Sequence, residues 1–309
     1  MDSIFNIHKV QHDIRKADRS TWGKDLPLLA QMTYPPRELF IRGEVPAQAI
    51  TADDARNGSG HVYMTIVGSR KFTSYGKEVC ETLIKGLCGL PVVIVSGLAL
   101  GIDSIAHRAA IDAGLKTVAV PGSGIDDDSI YPASHLTLAQ NILESGGAII
   151  SPFPSGMRGT NWMFPTRNRI MAGISHATLV IEADLKSGTL ITSKHATEFN
   201  RDVFTVPGSI FSNQSAGPHQ LMRSGATPIG DVAQLREALG FSDDVGRPAM
   251  NRNLTDIELR VLAELSSPKS IDSIIETLGI SASEASVVVS SLEMKGIVKT
   301  DGQIVRMVD

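Results

Sequence analysis

This 309-residue chain has little sulfur, few aromatic rings and no surplus of positive charge, and each shortage removes a class of protein. Cysteine occurs twice, at Cys80 and Cys88, eight positions apart in a segment with helical spacing. A disulfide over that distance would break the helix, so both are expected as buried, reduced thiols of a cytosolic protein. The longest apolar runs, Val92–Val95 and Ala148–Ile150, are strand-sized. A membrane span needs roughly 20 apolar residues in a row, so no membrane is expected as a partner. The opening Met1-Asp2-Ser3-Ile4-Phe5-Asn6 has neither the basic nor the apolar region of a secretory signal, and a cytoplasmic location is expected.

Lys and Arg total 29 against 33 Asp and Glu, a net charge of −4 and a pI of about 6.1. Wholesale adhesion to nucleic acid is thereby excluded, and any site for a polyanion must be a local patch. Eight His residues form no ligand cluster, and neither a G-x-G-x-x-G fingerprint nor a P-loop occurs. No Ser-His-Asp or paired-carboxylate arrangement stands out. No cofactor and no metal are expected.

What remains is an ordinary folded composition, 42% hydrophobic and 20% charged, long enough for two domains. Residues 1–60 read as a poorly defined N-terminal extension, with one short strand after Tyr34-Pro35-Pro36 and a loop over 53–60. From residue 62 the pattern changes. Short apolar strands at 62–67, 92–95, 117–120, 148–151, 178–182 and 203–206 alternate with helices at 75–88, 102–113, 135–144, 166–174 and 190–200. Strands apolar on both faces, joined by helical crossovers, make a parallel sheet. The expected fold class is α/β: a doubly wound, mostly parallel Rossmann-like sheet over 61–241. A polar linker follows at 242–250. Three helices (256–265, 271–278, 283–295) and a hairpin (297–300 and 304–307) turning at Asp301-Gly302 then predict a C-terminal winged-helix domain over 251–309.

Ligands of such sheets sit beyond the carboxyl ends of the strands. There the sequence places Gly68-Ser69-Arg70, Ser96-Gly97 through Gly101-Ile102-Asp103, Gly122-Ser123-Gly124, Asp184 through Ser187-Gly188-Thr189, and Pro207-Gly208-Ser209. Five glycine- and hydroxyl-bearing turns on one sheet edge leave room for a phosphate to reach backbone donors. Asp103 and His107, four apart, are expected to pair on one helix face, while Glu182 and Asp184 read as caps. The most informative segment is Trp162-Met163-Phe164-Pro165-Thr166-Arg167-Asn168-Arg169-Ile170. Thr166 is expected to cap a helix whose first turn holds Arg167, an aromatic–arginine start suited to stacking bases and meeting phosphates. Arg70, Arg158, Lys186, Lys194 and Arg201 add positive charge.

Taken in order, Gly68-Ser69-Arg70, Ser96-Gly97-Leu98-Ala99-x-Gly101-Ile102-Asp103, Phe164-Pro165-x-Arg167-Asn168-Arg169-Ile170, Ser187-Gly188-Thr189-Leu190-Ile191-Thr192 and Val206-Pro207-Gly208 resemble the signature of the DNA-processing protein A family (DprA, also called Smf). The resemblance covers about 60–240, and the C-terminal segment is similar to the winged-helix module of many members. It implies a non-catalytic protein, not an enzyme, that binds single-stranded DNA, protects it, and helps load a RecA-type recombinase in natural transformation, usually as a homodimer. By the same match Arg70 is the central phosphate-binding residue and Phe164 stacks on a base, with Arg167, Asn168 and Ser187-Gly188-Thr189 completing the pocket. Ser96, Gly97, Gly101, Asp103, Arg169 and Lys194 join the expected DNA-binding set. Asn161 stands where members often carry Lys. From Met250 onward six cations face nine anions, and the third helix offers Ser, Val and Glu where a groove-reading helix offers Arg, Lys or Asn. That module is therefore expected to contact protein rather than duplex DNA. The competing reading is a nucleotide-processing hydrolase of the phosphoribohydrolase type, whose signature Ser187-Gly188-Thr189 only faintly echoes.

Overall fold

The apolar runs of the central region become the middle of a nine-stranded sheet in the computed structural model, which describes residues 13–241, 255–265, 268–294, 298–302 and 304–307. Two compact units divide the chain after Pro248. In chain order the first holds β1 (Ile14–Asp18), α1 (Arg19–Asp25), α2 (Pro27–Ala30), β2 (Glu38–Gly43), α3 (Ala52–Arg56), β3 (Val62–Val67), α4 (Ser74–Lys85), β4 (Val92–Ser96) and α5 (Ile102–Asp112). It continues with β5 (Lys116–Ala119), α6 (Leu136–Glu144), β6 (Ala148–Ser151), α7 (Met163–Gly173), β7 (Ala177–Val180), α8 (Thr189–Glu198), β8 (Asp202–Thr205), α9 (Ala216–Arg223), β9 (Thr227–Pro228) and α10 (Val232–Ala238).

The strand order is β1-β2-β6-β5-β4-β3-β7-β8-β9, parallel from β6 to β9. Every residue of β3, β4, β6 and β7 is buried, as a parallel sheet covered on both faces requires. From β3 the chain winds outward through β4, β5 and β6, then returns to the other side of β3 as β7. The order therefore reverses between β3 and β7. That is the switch point at which two crossovers leave in opposite directions and their loops part to leave a crevice.

The predicted boundary near residue 60 is not one. Strands β1 and β2 extend the same sheet antiparallel to β6, and Trp22, Leu26, Leu29 and Met32 share a core with Ile170, Met171 and Ile174 of the α7 region. Burying side chains of this size stabilises by about 1.5–3 kcal/mol each, so the segment is a structural layer. Residues 53–60, expected as a loop, begin within α3, whose start is fixed by a capping box between Thr51 and Asp54. Cys80 is buried as expected, but Cys88 lies beyond the end of α4 and is exposed.

The second unit contains α11 (Asp256–Glu264), β10 (Lys269–Ser270), α12 (Ile271–Leu278), α13 (Ala282–Met294), β11 (Val298–Asp301) and β12 (Ile304–Met307). Its sheet, ordered β10-β12-β11, and its helices enclose a core that includes Val261, Ile274, Val288, Leu292 and Val305. This is the winged-helix arrangement. The predicted linker at 242–250 lies outside the described residues. Among them, no helix is long and apolar enough to cross a membrane.

Candidate nucleic-acid interface

A cleft of about 270 Å³ opens at the β3–β7 switch point. Gly68, Ser69 and Arg70 leave β3 on one side, Ser187, Gly188 and Thr189 lead into α8 on the other, and Phe164, Arg167 and Asn168 descend from α7. The last three share one helix face because residues three and four apart are neighbours on a helix. Backbone ties hold the loops: Thr189 Oγ1 donates to Gly68 O (3.2 Å) and Asn168 Nδ2 to Gly188 O (3.2 Å). The Arg70 guanidinium lies 5.5 Å from the Phe164 ring centroid, a cation–π distance, and the ring is half-buried. Gly122 lies against that ring; a Cβ there would come 2.5 Å from Phe164 Cδ1.

Arg167 is not a first-turn cation. The helix begins at Met163 with Trp162 as its N-cap, so Pro165 sits within the first turn, where its missing N–H is harmless. Thr166 does not cap the helix; its hydroxyl donates back to Trp162 O (3.4 Å). Arg167 thus falls in the second turn, buried, 3.8 Å from the Asp103 carboxylate, and donates to Gly97 O and to Val120 O (3.0 Å). A Cβ on Gly97 would overlap the guanidinium, which explains the glycine. Burial lowers the Arg167 pKa, yet a guanidinium stays protonated in proteins. Burial raises the Asp103 carboxyl, opposed by Arg167 and by the N–H groups of Ala99 and Gly97. Asp103 therefore serves Arg167 and the Gly97 N–H (3.2 Å), while His107 bonds Thr117 Oγ1 (2.7 Å), so the expected Asp103–His107 pair does not form.

Five expected residues do not line the cleft, and one of them, Gly97, lines the crevice beside it instead. Ser96 is buried, its hydroxyl donating to Ile66 O (2.6 Å). Gly101, at φ 86°, packs under Ser69 and Arg70 and supports their turn. Arg169 is five residues from Phe164, about 140° around the helix. It donates to Thr33 O and Tyr34 O and lies over the Phe199 ring, tying α7 to the N-terminal layer. Lys194, likewise five residues past Thr189, is exposed and 3.9 Å from Glu198. Arg201 also points elsewhere, to Leu28 O. Glu182 is a cap, accepting from the backbone N–H and hydroxyl of Thr73.

The arrangement offers a cation beside a half-exposed ring, with glycine turns and a helix start around them. Phosphate, ribose and base could each find a partner there. A family model for DNA recombination-mediator protein A matches residues 20–240. The chain belongs to that family. A second model, the DprA winged helix domain, matches 246–302. Among curated relatives, Protein Smf of Escherichia coli (strain K12) is 36% identical over 240 residues, 77% of this chain and 60% of that protein. DNA processing protein DprA of Bacillus subtilis is 37% identical over 70% of this chain and 69% of that protein. The chain spans 60% of the Escherichia coli relative and about half of the Synechocystis one, at 51%. The X-ray structure of Streptococcus pneumoniae DprA superposes with a TM-score of 0.63 at 34% identity, covering 73% of this chain and 74% of that one. The Helicobacter pylori DNA processing protein A, solved for its single-stranded DNA binding mode, gives 0.60 at 26%, covering 74% and 95%.

The cleft also has lining residues outside the expected DNA-binding set. Lys71, Thr192 and Gln214 line the cleft. Lys71 directly follows Gly68-Ser69-Arg70, and Thr192 is one turn past Thr189, so both carried a positional signal. Gln214 had none, because it arrives on a separate loop whose backbone pairs with Ala183 (2.8 Å).

Proposed function

We propose that the β3–β7 cleft binds unpaired DNA, with Arg70 and the glycine turns on phosphate, Phe164 stacked on a base, and Arg167 fixing the floor through Asp103. The chain would protect incoming single strands and help load a RecA-type recombinase in transformation, as a cytoplasmic homodimer without catalysis of its own. The observation that carries this reading is Arg70 poised 5.5 Å over the Phe164 ring at the mouth of the cleft. The Helicobacter pylori relative's single-stranded DNA binding supports it. The hydrolase alternative is not favoured by the family match.

The test is a gel shift with single-stranded and duplex DNA of one sequence at two salt concentrations. Wild type should prefer the single strand, with log affinity falling by about 0.7 per tenfold salt for each neutralised phosphate. Arg70→Ala should lower both affinity and slope. Phe164→Ala should lower affinity about tenfold with the slope unchanged, since stacking contributes roughly 1–3 kcal/mol per base. Unchanged affinity in both variants removes the reading.

A further inference from the structure

A second crevice adjoins the cleft beyond the ends of β4 and β5, sharing Arg70, Ala99, Phe164 and Arg167 with it and adding Leu100, Gly122 and Tyr131. Tyr131 is 45% exposed and Leu100 51%, so both present apolar surface beside the cleft. The Tyr131 ring lies 5.8 Å from the Phe164 ring, tilted by 44°. It rests against residue 159, where only glycine fits closely: a Cβ on Gly159 would be 3.0 Å from Tyr131 Cγ. The neighbouring Arg158 is exposed. At that centroid distance the two rings are already in aromatic contact, which leaves no room for a base between them. The two rings therefore cannot clamp one base between them and instead present successive outer faces.

We propose that Tyr131 is a second stacking platform, taking the next base of the same single strand, with Leu100 beside it and Arg158 meeting the intervening phosphate. This rests on the reading of the cleft as a single-strand site. The structure thus assigns the strand a direction across the sheet edge, from the β3–β7 turns toward β5.

The experiment is fluorescence anisotropy of labelled oligo(dT) with the full chain. On an oligonucleotide of about 20 residues, Tyr131→Leu should weaken binding about tenfold with an unchanged salt slope, and Tyr131→Phe should restore it. Arg158→Gln should reduce the slope by about 0.7. With thymidine monophosphate as competitor, Tyr131→Leu should equal wild type because one nucleotide fills only the first seat. If wild type binds and Arg70→Ala does not, but Tyr131→Leu matches wild type on the long strand, the second platform is overturned and the cleft reading stands. Equal weakening on monophosphate and long strand also overturns it, because the ring would then only be buttressing Phe164. Failure of wild type to bind removes both.

Discussion

The cleft and the C-terminal hairpin both carry Arg and Lys, but under opposite conditions. In the cleft, Arg167 is buried and fixed by Asp103 and two carbonyls, and Arg70 faces a ring at the mouth. In the C-terminal unit, Arg260 is spent on Leu278 O (3.1 Å) and Lys269 on Glu264 (2.7 Å). Lys299 and Arg306 sit opposite each other in the β11–β12 register, both exposed. Its helix α13 carries no Arg, Lys or Asn at all. A desolvated, oriented cation polarises its surroundings, whereas an exposed one is screened within about 10 Å. A net charge of −4 therefore says little about where a polyanion binds; what surrounds and fixes each cation decides it, since Arg70 is as exposed as Lys299 and Arg306 but faces a ring above a buried Arg–Asp pair.

The comparison breaks most visibly if one cation is removed from each region. Arg167→Met leaves the buried Asp103 carboxylate without its countercharge, and urea unfolding should show a loss of about 3–5 kcal/mol. Lys269→Met, removing a partly exposed pair, should lose about 1 kcal/mol or less. Similar losses at the two sites would show that the buried pair is no more coupled than the surface one.

Acid should separate the units next. Burial pushes His107 down to about 3 from an ordinary 6.5, and holds His176 low as well. The unfolded chain binds these protons first, so stability is whole above about pH 6.5 and is lost as pH falls through the window below it. At about pH 5, His107 alone removes roughly 2 kcal/mol. No histidine follows His219, so the C-terminal unit lacks this term. Calorimetry from about pH 7 to 5 should move the first unit's transition down and leave the second's nearly in place. His107→Gln should flatten the shift.

The same contrast explains what could be read without coordinates. Strands β3 to β8 were legible because apolar runs of four to six residues need only a period and a punctuating glycine. Of the N-terminal layer only β2 was legible, because α1 and α2 have seven and four residues, too short for a period, and β1 is largely polar at a sheet edge. Gly68-Ser69-Arg70 and Ser187-Gly188-Thr189 were legible as turns, and their convergence followed from the sheet rule. The role of Asp103 was not, since its partner lies 64 residues later and local spacing offered His107 instead. Arg169 misled for the same reason: its type fits a phosphate site, but its angle on α7 sends it to Tyr34. Tyr131 was not singled out by spacing and gained meaning only from its ring neighbour Phe164.

Within the cleft, Gly122→Ala probes packing without touching charge. The added methyl must displace the Phe164 ring, while Arg70 and Arg167 keep their positions. Affinity for oligo(dT) should fall about tenfold, with the salt slope unchanged. An unchanged affinity would mean the ring can shift and still stack, making the glycine a folding requirement only.

The smallest expected effect is the sharpest test of the contrast. Reversing both exposed hairpin cations, Lys299→Glu with Arg306→Glu, changes the C-terminal unit's charge by four and leaves the first unit's residues unaltered. If single-strand affinity resides in the switch-point cleft, anisotropy titrations should change less than about twofold, because every cation that lines the cleft is kept. Duplex affinity should stay as weak as before. A hairpin that gripped nucleic acid would instead lose about 0.7–0.9 of salt slope per cation removed. A drop of that kind on duplex alone would assign the hairpin its own ligand, and one on single strands would place the two units on a common strand.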